Sequence, residues 1–88
     1  MLYLKVSSLM QEFDHEIDVQ GLLCPLPVLK ARKRLLSLKH GETLRILATD
    51  PASAIDFPHY CAESGNELIT HYEEAGLFVF IIRKNHAK

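Results

Sequence analysis

Two junctions at which a β-like stretch runs into a proline-marked helical pattern constrain this fold most. Residues 16–20 alternate apolar and polar side chains and lead into Cys24-Pro25, and residues 43–49 lead into Asp50-Pro51 in the same way. Proline suits the first position of a helix because its φ is already helical and its missing N–H would have no intrahelical partner. A repeated strand-helix order predicts parallel strands joined by a right-handed crossover.

The first predicted helix runs from Pro25 to His40, with Cys24 as its N-cap and Gly41 as its C-terminal stop. Its apolar positions have helical spacing, and its polar positions fall on the other side. We expect the core to be contacted by Val28, Ala31, Leu35 and Leu38, with Leu29 and Leu36 beside them, and the opposite side to carry Lys30, Lys33, Arg34 and Ser37.

The second half of the chain completes a small α/β domain. Pro58 predicts that the second helix is broken into two segments, residues 51–56 and a segment that ends at Ser64 before Gly65, with Asp56 capping the later one. Residues 66–72 and the apolar run 77–82 predict a hairpin whose second strand is central. The sum is an α/β two-layer sandwich of order βαβαββ, with two helices on one face of a four-stranded sheet.

The domain boundaries follow from the same patterns. We assign residues 15–85 to the folded domain and residues 86–88 to a tail. Residues 1–14 form an N-terminal extension, either disordered or a short extra strand, because their alternation is interrupted by polar residues.

Composition excludes several classes of protein. A net charge of −1 argues against a dedicated nucleic-acid binder, and no apolar run is long enough to cross a bilayer, so neither nucleic acid nor membrane is an expected partner. With two cysteines and no signal-peptide pattern, the chain is expected in a reducing cytoplasm.

Cys24 is the candidate reactive residue. The N-terminus of a helix favours the thiolate, and because Pro25 and Pro27 have no N–H group, Leu26 and Val28 are the expected donors to it. We therefore expect the pKa of Cys24 to be lowered. The alternative is that Cys24 is a small buried apolar residue, as free cysteines often are. No second cysteine follows at Cys-x-x-Cys spacing and no catalytic base is identifiable, so a thioredoxin-like or hydrolytic role is disfavoured.

Two separated motifs resemble the TusA/SirA family of small sulfur-carrier proteins. They read Asp18-x-x-Gly21-x-x-Cys24-Pro25-x-Pro27 and Ala48-Thr49-Asp50-Pro51-Ala52-Ser53-x-x-Asp56-x-Pro58, and the likeness covers residues 17–84. It implies strand order 1-2-4-3 and a transient persulfide on Cys24, with no other cofactor. The sulfur would come from a cysteine desulfurase or another donor and pass to an acceptor protein, so the chain would act as a sulfurtransferase-type carrier rather than a self-sufficient enzyme. Leu26 replaces the Glu of the members that serve tRNA thiolation, which leaves the pathway open.

Several other residues have two interpretations. Gly21, Pro25, Leu26, Pro27 and Val28 are expected to support the thiolate, and Asp18 either positions this loop or is an ordinary turn residue. Lys30, Lys33 and Arg34 form either a solvated surface or a docking surface for an acidic partner or RNA near the thiolate.

In a second hypothesis for the whole chain, Cys24 only packs, and this basic helix makes the protein a non-catalytic interaction or regulatory module. Asp50 and Asp56 are interpreted as helix caps and Cys61 as a core thiol, and one His59-x-Cys61 pair has too few ligands for a structural metal site.

Overall fold

The computed structural model describes residues 12–85, and these form a two-layer α/β sandwich. The four strands lie in the order β1-β2-β4-β3, with β1 and β2 parallel and the other pairs antiparallel. The predicted fold class and strand order are confirmed. The elements are β1 (His15–Asp18), α1 (Leu26–Leu36), β2 (Thr43–Ala48), α2 (Ser53–Ser64), β3 (Glu67–Glu74) and β4 (Leu77–Arg83).

The core lies between the helices and one face of the two central strands. Alternation along β2 and β4 places apolar side chains toward the helices, and the Phe57 ring of α2 stacks on Phe80 of β4 with centroids 4.6 Å apart. Buried side chains from both layers meet there: Ala31, Leu35, Leu44, Ile46, Ala48, Phe57, Cys61, Phe80 and Ile82.

The first helix is shorter than the sequence predicts at both ends. It begins at Leu26, so its N-cap is Pro25 and not Cys24, which lies one residue earlier. It ends at Leu36, and Gly41 has its positive φ of 91° in a later turn, where the Glu42 N–H donates to the Lys39 carbonyl. The expectation that Leu29 and Leu36 lie beside the core is wrong, because they are 48% and 71% exposed once the helix axis is fixed by Ala31 and Leu35.

The second helix is continuous through Pro58, so the predicted division into two segments is wrong. Phe57 is fully buried against Phe80, and packing of this kind offsets the cost of one missing backbone hydrogen bond. The helix begins at Ser53, two residues after Pro51, and Asp56 lies in its first turn instead of capping a second segment. Gly65 ends it in the left-handed conformation, as predicted.

The last two strands form the predicted hairpin. Ala75 and Gly76 both have positive φ, which is the conformation of the two-residue type I′ turn that matches strand twist. Residues 1–11 and 86–88 lie outside the described residues, so the predictions of an N-terminal extension and a tail stay predictions. Neither described helix is long and apolar enough to cross a membrane.

Candidate functional site

The carboxyl ends of the two parallel strands bring the two predicted junctions together. Because β1 and β2 are adjacent and parallel, the loops that follow them leave the same edge of the sheet. The Thr49 Oγ1 atom accepts a hydrogen bond from the Gly21 N–H at 2.9 Å, and the Asp50 Oδ2 atom accepts one from the Cys24 N–H at 2.6 Å. The end of β2 therefore holds the loop that carries Cys24.

Local interactions shape this loop before it reaches the cysteine. The Asp18 carboxylate accepts the Gln20 N–H at 3.0 Å, and the Leu22 N–H donates to the Val19 carbonyl at 3.2 Å. Gly21 has a φ of 84°, a conformation that favours glycine, although a Cβ there would meet no atom within 4 Å. Asp18 thus lies in a turn that leads into the Cys24 loop, and its expected part in supporting the thiolate stays a prediction.

Cys24 is exposed, so the alternative of a buried apolar residue does not apply to it. A hydrogen bond to the Asp56 carboxylate, loss of hydration and the negative charges of Asp56 and Asp50 raise the pKa of its thiol above the ordinary value. The prediction of a lowered pKa is therefore wrong. The helix end alone would favour the thiolate, but two carboxylates from the other junction oppose it.

One of the two backbone N–H groups that were expected to donate to the thiolate donates to another acceptor. The Leu26 N–H donates to the Leu23 carbonyl at 2.9 Å, which removes one of the two predicted donors. Pro27 is buried, and Val28 packs against the core, so both residues anchor the start of α1. Pro25 caps the helix without a side-chain hydrogen bond.

Exposed apolar side chains adjoin the site residues along the chain. Leu23 and Leu26, on either side of the Cys24-Pro25 pair, are 68% and 46% exposed, and Ile55, which precedes Asp56, is 75% exposed. The site thus combines one accessible thiol, two half-buried carboxylates and an apolar rim. It can undergo sulfur exchange with a disulfide or persulfide presented from outside.

The predicted basic residues line a shallow groove between α1 and β1. Lys30, Lys33 and Arg34 form its helical wall, and Ile17 and Val19 contribute from the sheet. The groove has a volume of about 520 Å³. The basic residues and the thiol are therefore neighbours along the chain, because Lys30 lies about one helical turn after the start of α1 at Leu26.

The second cysteine lies in a different environment. Cys61 is 6% exposed within the core contacts of α2, and burial raises the pKa of its thiol to about 11. This agrees with its interpretation as a core thiol. His59 pairs instead with Glu63, at 3.3 Å, and the part of the chain that the structure describes contains no cluster of metal-ligand side chains.

Asp50 and Asp56 are the site residues that sequence reasoning misassigned. Asp50 does accept the Ala52 N–H, at 3.3 Å, but its other carboxylate oxygen is bound to the Cys24 backbone 26 residues away. A signal was available in the sequence, because parallel adjacent strands place the residues that follow them at one sheet edge. That rule places Cys24 near Asp50, whereas the contact with Asp56 depends on the path of α2.

The fold and the site define a small α/β domain that presents an exposed thiol at a strand-helix junction. The family described as Sulfurtransferase TusA matches residues 15–84, and the chain belongs to that family. The resemblance inferred from the two motifs is confirmed.

Named relatives agree with this assignment. The chain is 46% identical over 76 residues to the sulfur carrier protein TusA of Allochromatium vinosum, a match that covers 86% of this chain and 100% of the relative. It is 41% identical over 71 residues to the sulfur carrier protein TusA of Pseudomonas entomophila, covering 81% of this chain and 89% of the relative.

A solved structure supports the fold independently. The crystal structure of a SirA-like protein from Desulfitobacterium hafniense superposes with a TM-score of 0.72 at 23% identity, covering 83% of this chain and 100% of that one. At this identity the likeness concerns the fold alone.

Proposed function

We propose that the protein is a sulfur carrier that holds sulfane sulfur as a persulfide on Cys24, accepts it from a desulfurase or another sulfurtransferase, and passes it to an acceptor protein. The observation that carries the proposal is the exposed Cys24 thiol within the span that matches the TusA family. Exposure is essential because the sulfur must reach this residue from one protein and leave it for another.

The proposed loading step is a thiol-persulfide exchange. The Cys24 sulfur attacks the terminal sulfur of the donor persulfide, the donor S–S bond breaks, and its electron pair leaves with the donor thiolate. The proton of the Cys24 thiol passes through the hydrogen-bonded Asp56 carboxylate to the donor thiolate or to water. The products are a Cys24 persulfide and a donor thiol, so no external oxidant or reductant is needed.

The two carboxylates give the empty and loaded forms different properties in this proposal. They keep the empty carrier largely protonated at neutral pH, because they disfavour a thiolate at Sγ. In the loaded form the terminal sulfur lies about 2 Å beyond Sγ, one S–S bond farther out. Its charge is therefore held less close to Asp50 and Asp56.

Transfer of one sulfur atom onto Cys24 tests the proposal. The full chain is incubated with a cysteine desulfurase, pyridoxal phosphate and cysteine, and intact mass spectrometry without reductant should show the addition of one sulfur. Cys24→Ala should abolish this addition, and Cys61→Ala is the matched control that should retain it. Loading that persists in the Cys24 variant, or that is absent from the wild-type chain with several desulfurases and sulfurtransferases as donors, would overturn the proposal.

A further inference from the structure

The groove between α1 and β1 has a basic wall formed by one stripe of the helix. Residues at i, i+3, i+4 and i+7 share a helix face, and this spacing places four polar side chains toward the edge of the sheet. Ile17, which is half-buried, and the buried Val19 line the groove across from them. The four residues of the stripe are Lys30, Lys33, Arg34 and Ser37.

Two of the basic side chains have no partner within the described residues. Arg34 is engaged, because its Nη2 atom lies 3.2 Å from the His15 Nδ1 atom at the start of β1. The Lys30 and Lys33 side chains make no hydrogen bond or ion pair with any residue in the 12–85 range and are exposed. Asp18 is the acidic residue along the groove, and its carboxylate already accepts the Gln20 N–H. The groove therefore has an excess of positive charge.

Within residues 12–85, no strand pairs with the sheet edge beside the groove. β1 is an outer strand of the described sheet, and its one neighbour there is β2. The Val19 N–H points toward β2, where it donates to the Leu47 carbonyl at 2.8 Å, so the alternation of a strand directs the backbone groups of Asp18 and Glu16 away from the sheet. An open edge of this kind can accept another strand through main-chain hydrogen bonds.

We propose that this groove binds an extended acidic segment of a partner protein, which adds as a strand to the edge of β1 while its carboxylates pair with Lys30 and Lys33. The four-residue strand is about 13 Å long and can pair with about four residues of such a segment. A segment seated there would end beside the Cys24 loop, since Val19 precedes that loop. Binding requires no sulfur on Cys24, so the inference goes beyond the proposed function.

A peptide fits this groove better than a single-stranded RNA. RNA binders without a strong basic excess depend on exposed aromatic rings that stack with bases. The large aromatic side chains that are well exposed in the described region are Phe13 and Tyr72, and neither lines the groove. Backbone groups along a free strand edge instead match the spacing of a second peptide chain.

The test uses a defined peptide and the full-length chain. An end-blocked ten-residue peptide that alternates Glu and Val is titrated into the ¹⁵N-labelled protein, and amide shifts are followed at low ionic strength. We expect saturable shifts in β1 and in the Lys30 to Ser37 stripe, and retention of them in Cys24→Ala. The double variant Lys30→Glu/Lys33→Glu should weaken binding by about tenfold or more. Arg32→Glu, an exposed charge reversal on α1 outside the groove, is the matched control and should have a smaller effect.

Two altered peptides separate strand addition from simple charge attraction. One peptide is N-methylated at its Glu residues and the other at its Val residues. Only one of these two sets of N–H groups can face β1, so one methylated peptide should lose binding and the other should keep it. Replacing Glu by Lys in the peptide should remove binding. The proposal is overturned if the Glu-Val peptide causes no saturable shifts, or if Arg32→Glu weakens binding as much as the double variant. It is also overturned if both N-methylated peptides bind equally, or if a single-stranded RNA 10-mer binds to the same residues more tightly than the peptide.

Discussion

The two cysteines of this protein have pKa values shifted in the same direction for different physical reasons. Cys24 is exposed, and the principal cause of its raised pKa is its interaction with Asp56. Cys61 is buried in α2, and its pKa is raised by loss of hydration alone. Access to a partner, and not acidity of the thiol, therefore distinguishes the candidate sulfur-carrying residue from the core residue.

The carboxylates beside Cys24 give its thiol a resting state different from that of a thiol activated by a helix end alone. A thiol activated by a helix end would be deprotonated in the resting protein and open to unwanted alkylation or oxidation. Beside two carboxylates, the same thiol rests in its protonated form and reacts when a partner places an electrophilic sulfur on it. Such a site suits a carrier whose chemistry depends on partners.

The largest difference between the two thiols should appear in their rates of alkylation. With iodoacetamide at neutral pH, we expect Cys61 to be modified at least about a hundredfold more slowly than Cys24, because it reacts only after the core opens. Peptide mass spectrometry over a time course measures both sites in one sample. In denaturant the two rates should converge, and equal rates in the native protein would contradict the burial of Cys61.

A smaller effect is expected from removing the carboxylate that dominates the pKa of Cys24. Asp56→Asn should lower that pKa and make alkylation of Cys24 at pH 7 about threefold faster or more, since a larger fraction of the thiol is ionised. In the same variant, the pH at which the alkylation rate of Cys24 reaches half its maximum should be lower than in the wild-type chain.

Glu63→Gln provides the control for charge removal on the same helix, because Glu63 is exposed and pairs with His59. It should leave the Cys24 rate unchanged. An unchanged pH profile in Asp56→Asn would show that Asp56 does not govern the ionisation of Cys24.

An effect of similar size concerns the contribution of Cys61 to stability. A pKa that folding raises to about 11 means that the folded state keeps this proton longer than the unfolded state. The free energy of unfolding should therefore be largest below pH 9 and fall as pH rises toward 11, with a share from Cys61 on the order of 1 kcal/mol.

Urea unfolding over this pH range, in a Cys24→Ala background that removes the other thiol, measures this share. Cys61→Ala should make the decline shallower, although the variant is less stable at pH 7 because it loses buried sulfur contacts. A decline of the same steepness with and without Cys61 would contradict the assigned pKa.

Much of the site followed from local sequence patterns. The proline positions and the apolar periodicity predicted the element order, and β4 was recognised as central because Leu77 to Ile82 is apolar throughout. Cys24 was identified as the candidate residue from its place before Pro25, although the assumed capping geometry was shifted by one residue. These features are determined by neighbours along the chain, and their physical causes act over a few residues.

The environment of Cys24 could not be obtained in the same way. Its backbone is bound by Asp50 and its thiol interacts with Asp56, both of which approach through the parallel pairing of β1 with β2 and the packing of α2. The continuity of α2 through Pro58 likewise depends on Phe57 packing against Phe80 of a distant strand. The sequence by itself determined the order of elements, the candidate thiol and the family resemblance. Tertiary structure alone decided the sign of the Cys24 pKa shift, because electrostatic interactions depend on distance in space and not on separation along the chain.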